Sequence, residues 1–141
     1  MADTFRYMLE NRTQKVVTVK DELSFLQSYL FMMKKRFEEG IQVEINMDPS
    51  YLGRLIPQFA LQTVFENALQ HNRVSARDPL RVELTCKTDS ITVRNDLKEK
   101  KLFKGHGIGL DNLAQRYWLM GKKQIKVIKG ENCFSITLPL L

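Results

Sequence analysis

At 141 residues the chain has the length of one domain with room for one core, and its 43% hydrophobic and 27% charged content is that of a globular body rather than a disordered tail. No apolar run approaches a bilayer-spanning length, and the N-terminus carries no signal-peptide pattern. The net charge of +6 gathers in Lys98, Lys100, Lys101 and Lys104, then in Lys122, Lys123, Lys126 and Lys129; neither run interleaves aromatics, and no helix-turn-helix or zinc-finger spacing accompanies them, so nucleic acid has only charge in its favour.

In chain order, Asp3 to Arg12 reads as the end of a helix, with Phe5, Met8 and Leu9 at helical spacing. Thr18 to Asp21 is a capping signal, and the helix it opens should run from about Val19 to Glu39 until Gly40 stops it. Its stripe of Leu23, Leu26, Leu30, Met33 and Phe37 suits either the chain's own core or a second helix. Ile41, Val43, Ile45 and Met47 alternate with polar neighbours, which predicts a strand with one buried face. Asp48-Pro49-Ser50 is a turn, and a helix is expected from about Pro57 to Asn72. Leu61, Val64, Phe65, Ala68 and Asn72 mark its inner side, with Thr63, Glu66, Asn67 and Gln70 on the other and His71 at the border. Two strands follow, Leu80 to Thr85 and Ser90 to Arg94, then a charged loop from Asn95 to His106. A helix from Gly107 to Met120 should end at Gly121, and Gln124 to Ile128 with Phe134 to Leu138 should close a hairpin. Cys86 and Cys133 are read as two reduced thiols in or near strands.

The chemistry-bearing segments are Glu66-Asn67-Ala68-Leu69-Gln70-His71 on one helix and Gly105-His106-Gly107-Ile108-Gly109-Leu110 opening another. Without further context the first is a polar helix face and the second a loop-to-helix junction. With Phe5 to Leu9, Val17 to Leu23, Arg36-Phe37, Ile56-Pro57, Asn112, Arg116 and Phe134 to Pro139, in order, they resemble the internal region and ATP-binding domain of LytS-type sensor histidine kinases, within the gyrase, Hsp90 and MutL superfamily.

That resemblance implies a Bergerat-type fold: a two-layer α/β sandwich, its mixed sheet covered by helices on one face, in residues 41–141. Residues 1–40 would be the C-terminal part of the helical dimerisation region. It implies ATP as substrate and Mg²⁺ held by the Asn67 amide, a hard oxygen ligand beside water and phosphate oxygens. Glu66 would orient or deprotonate a reacting group. His71 would line the site, and Gly105, Gly107, Gly109 and Leu110 would form a phosphate lid in which Lys104 contacts phosphate. His106 reads as a solvated turn residue. The family's Asp-x-Gly-x-Gly box is replaced by Asn95-Asp96-Leu97, so either Asn95 or Asp96 would read the adenine amino group. The family's phosphoacceptor histidine motif is absent from these residues. The expectation is therefore the catalytic portion of a longer two-component sensor: phosphoryl transfer to a histidine outside this sequence and then to a response regulator, a homodimer in the intact protein, a cytoplasmic domain anchored in the inner membrane only through a preceding part, and no nucleic-acid partner. The alternative is a degenerate signalling and dimerisation module that binds nucleotide weakly or not at all.

Overall fold

A computed structural model describes residues 15–99 and 108–141. The elements are β1 (Val16–Thr18), α1 (Val19–Phe37), β2 (Ile41–Asn46), β3 (Leu55–Pro57), α2 (Ala60–His71), β4 (Leu80–Lys87), β5 (Ser90–Asp96), α3 (Ile108–Gly121), β6 (Lys126–Lys129) and β7 (Cys133–Pro139). Five strands make one mixed sheet in the order β2-β4-β5-β7-β6, with β2 and β4 parallel and the remaining pairs antiparallel.

Strand alternation decides which side the helices cover. Leu80, Val82 and Leu84 are buried while Arg81 and Glu83 between them are exposed, and Ile91, Val93 and Asn95 are buried in register beside them. The buried strand residues share a single core with Leu26 and Leu30 of α1, Val64 and Phe65 of α2, and Leu113 and Tyr117 of α3. One sheet face therefore carries the three helices and the other is polar, the two-layer arrangement expected. Leu26 and Leu30 of the α1 stripe pack into this core, whereas Phe31 and Met32 lie exposed on the opposite side of the helix.

The differences from the sequence reading lie at element ends. The first helix stops at Phe37, and Glu38, with a positive φ of 52°, turns the chain out of it two residues before Gly40, the residue expected to stop the helix. Gly40 is glycine for another reason: a Cβ there would sit 2.9 Å from Val74 Cγ1 and 3.2 Å from the Ser75 nitrogen. α3 ends at Gly121 as expected, and the positive φ falls on the next residue, Lys122 (φ 54°). Pro57 ends a strand instead of opening a helix: β3 pairs antiparallel with β1, a two-stranded ribbon that the sequence reading lacks. Asn95 and Asp96 belong to β5, not to a loop.

Candidate functional site

α2 begins at an unusual junction. Phe59, its N-cap, is left-handed at φ 66° and supplies no capping side chain. The cap comes from 37 residues earlier: Glu22 of α1 accepts from the Phe59 N–H at 2.6 Å and from the Leu61 N–H at 3.2 Å. A carboxylate there satisfies orphan helix donors and opposes the positive end of the helix dipole. Burial nevertheless pushes the Glu22 carboxyl above its ordinary value, outweighing those N–H bonds and the nearby Arg116 guanidinium. Arg116 of α3 donates to the Gln58 carbonyl at 2.8 Å. The start of α2 is thus clamped by one charged residue from each flanking helix.

Asn67 lies two turns further on. It is 8% exposed, and its amide has no hydrogen-bond partner among the described residues. One turn earlier on the same flank is Thr63, whose Cγ2 would be only 3.2 Å from a Cβ on Gly109. The first turn of α3 therefore passes directly beside the Asn67 flank of α2, and Gly109 permits the approach. Leu110 is partly buried against the core, and His71, half-buried one turn beyond Asn67, has a partner of its own. Lys104, Gly105, His106 and Gly107 lie outside the described residues.

Glu66 projects from the neighbouring helix position, about 100° around the axis from Asn67. Its carboxylate accepts from Gln62 Nε2 at 2.8 Å and borders an open cleft of about 390 Å³ between α1 and α2, with Tyr29, Met33 and Arg36 opposite. Burial, and then the Glu66 charge, push the Tyr29 hydroxyl up to about 12. Glu66 and Asn67 thus open onto different flanks of α2.

At the sheet, Asn95 and Asp96 part company. Asn95 is 3% exposed on the helix-bearing face, and its Nδ2 donates to the Asp96 carbonyl at 2.8 Å. A carbonyl can only accept, so this bond fixes the amide orientation and leaves Oδ1 as an acceptor with no partner among the described residues. Asp96 faces the polar side, where it accepts from the Arg81 N–H at 2.9 Å and stands 3.7 Å from Lys98 Nζ. An open depression of about 670 Å³ on that polar face holds Asp96, Arg81 and Arg94, away from Asn67.

Asn72, given no role beyond the inner side of its helix in the sequence reading, ties these parts together. Asn72 is 2% exposed and uses both ends of its amide: Nδ2 donates to the Ala68 carbonyl at 2.9 Å, and Oδ1 accepts from the Lys98 N–H at 2.8 Å. With the Arg73 N–H to Lys98 carbonyl bond of 2.8 Å, it pins the exit of β5 to the end of α2. A polar residue on the inner side of a helix was the available signal.

The fold is that of histidine-kinase catalytic domains. The cytoplasmic segment of histidine kinase QseC superposes with a TM-score of 0.62 at 16% identity, over 99% of this chain and 89% of that one. The catalytic domain of histidine kinase ThkA gives 0.58 at 12% identity, over 89% and 95%. A family model described as histidine kinase matches residues 1–41. The sensor protein LytS of Bacillus subtilis is 30% identical over 126 residues, and the sensor histidine kinase/phosphatase LytS of Staphylococcus aureus (strain MRSA252) 32% identical over 127, each match covering 89% of this chain. The chain is similar to these LytS sensor proteins and spans 20% of the length of either relative.

Proposed function

We propose that this chain is the ATP-binding portion of a two-component sensor histidine kinase, passing the γ-phosphoryl group of ATP to a histidine outside this sequence and thence to a response regulator. The observation that carries the reading is Asn67: a nearly buried amide without a described partner, beside the first turn of α3, in a histidine-kinase catalytic fold. Such an amide suits Mg²⁺, which keeps few protein ligands and completes its shell with water and phosphate oxygens. No cluster of three or more His, Cys, Asp or Glu side chains stands ready to hold a metal among the described residues, so the ion would be held jointly by Asn67 and the nucleotide. Bound there, Mg²⁺ would neutralise phosphate charge.

The residues divide the remaining work. Asn67 positions the phosphates, and the N–H groups at the start of α3, with Gly109 and Leu110, add favourable partial charge beside them. His71 lines the same flank. Lys104, Gly105 and Gly107 complete the lid. The free Oδ1 of Asn95 accepts from the adenine amine; Asp96 is committed to Arg81 on the other face. Glu66, released from Gln62, accepts the proton of the incoming imidazole, which approaches by the α1–α2 cleft. The intact protein acts as a homodimer.

The competing reading, a non-catalytic module, is favoured by the glycine-free Asn95-Asp96-Leu97 sequence. Calorimetric titration with a non-hydrolysable ATP analogue decides between them. Magnesium-dependent binding that disappears in Asn67→Ala supports the kinase site, whereas a folded wild-type chain that binds nothing supports the module. Glu66→Gln should leave the analogue affinity unchanged and lower phosphotransfer in the histidine-containing protein; equal transfer would remove Glu66 from the mechanism.

A further inference from the structure

The segment Trp118 to Lys129 stands apart from everything assigned above. Its twelve residues contain four lysines and no acidic residue. Trp118 is 49% exposed, Leu119 59%, Val127 47% and Ile128 50%. They lie at the end of α3 and on β6, an edge strand whose four residues are all exposed. These two parts meet at one end of the sheet: Tyr117 donates to the Pro139 carbonyl at 2.8 Å, and Lys126 faces Thr137 two residues earlier on β7. Ile125, partly buried against the core, anchors the connection between them. Lys129 pairs with Glu99 and Lys123 donates to the Leu140 carbonyl, but Lys122 and Lys126 have no ion-pair partner among the described residues.

Lysines on an edge strand also discourage strand-to-strand aggregation. That explains Lys126 and Lys129; it does not explain an exposed tryptophan and leucine on a helix. The choice of cation narrows the occupant. Protein interfaces favour arginine and deplete lysine, and this segment has lysine only. Nucleic acid would reward the lysines but gain little from exposed leucine, valine and isoleucine. Tryptophan and aliphatic side chains at headgroup depth, flanked by lysines that keep their ammonium groups in water, are what an anionic bilayer surface selects.

We propose that the Trp118–Lys129 corner docks peripherally on an anionic membrane surface, inserting Trp118 and its aliphatic neighbours while Lys122 and Lys126 meet lipid headgroups. No helix among the described residues is long and apolar enough to cross a membrane, so this contact lies on the surface of the bilayer.

The sole tryptophan makes the test direct, since its emission reports on this corner alone. The chain is mixed with phosphatidylcholine vesicles, with or without phosphatidylglycerol, and followed by Trp118 fluorescence and co-sedimentation. The expected result is a blue shift and sedimentation with the anionic vesicles only, fading as added salt shortens the screening length. Lys122→Glu with Lys126→Glu should lower the partition coefficient at least about tenfold, and Trp118→Ala should lower co-sedimentation, while both variants keep the wild-type thermal midpoint. The proposal falls if anionic vesicles give no shift, if neutral vesicles bind equally, or if the charge-reversed variant binds as well as wild type. It also falls if a polyglutamate peptide or duplex DNA shifts the emission and vesicles do not, which would hand the surface to a protein or nucleic-acid partner.

Discussion

Asn67 and Asn72 stand five residues apart on and just beyond the same helix, both nearly buried, and they are treated in opposite ways. Asn72 spends its whole amide inside the protein, one end on the last turn of α2 and the other on the strand exit at Lys98. Asn67 spends none of its amide on the described residues. No buried side-chain polar atom among the described residues lacks a partner, so the unpartnered Asn67 amide reaches solvent at the open end of its flank. Asn72 is therefore scaffold, while the Asn67 amide is open to the ligand role proposed for it, a distinction that burial alone would not reveal.

The largest effect should come from the ligand side of that contrast. Asn67→Ala should weaken magnesium-dependent binding of an ATP analogue about a hundredfold or more, some 2.7 kcal/mol, with the thermal midpoint little changed. A variant that binds normally would erase the contrast.

The scaffold side should respond in stability instead. Glu22→Ala strips the cap from α2 and leaves Arg116 without its neighbouring charge, an expected loss of about 3 kcal/mol by denaturant titration. Acid response gives a finer reading of the same residue. Because the folded-state carboxyl is raised, folding takes up a proton there; its contribution is full below the ordinary value of 4.5 and is lost as pH rises through the raised value. The stability of the wild type relative to Glu22→Gln should accordingly fall as pH climbs through that window, and a difference independent of pH would refute the assignment. Asn72→Ala should cost less, about 1–2 kcal/mol, and speed amide exchange at Lys98 selectively. A shift in nucleotide affinity larger than the shift in stability would move Asn72 out of the scaffold.

A smaller effect separates Asn95 from Asp96. Asn95→Ala should weaken ATP about tenfold, near 1.4 kcal/mol, and Asp96→Ala should leave affinity unchanged. The reverse pattern would transfer adenine recognition to Asp96.

Much of this was legible in residue order. The alternation at Ile41 to Ile45 and the apolar side of α2 gave the sheet and its helix layer, because local periodicity reports directly on which face is buried. The polar side of α2 was less readable. Helical spacing grouped Glu66 with Asn67, but packing splits them, since α1 approaches one flank and α3 the other. The Glu22 cap joins residues 37 and 39 positions apart, and the β1–β3 ribbon pairs strands of three residues each; neither leaves a local pattern to find. Asn95 could be told from Asp96 only once the pleat of β5 assigned each a face.

The left-handed turns at Glu38, Thr88 and Lys122 carry a practical implication for anyone engineering this domain. Each holds a side chain where the backbone would prefer none, at about 1–2 kcal/mol before glycine's own entropic cost is set against it. They sit in separate connections of the fold, so replacing them with glycine should give modest, roughly additive gains in melting temperature, hardening the domain for calorimetry or crystallisation while Asn67 and Asn95 stay as they are.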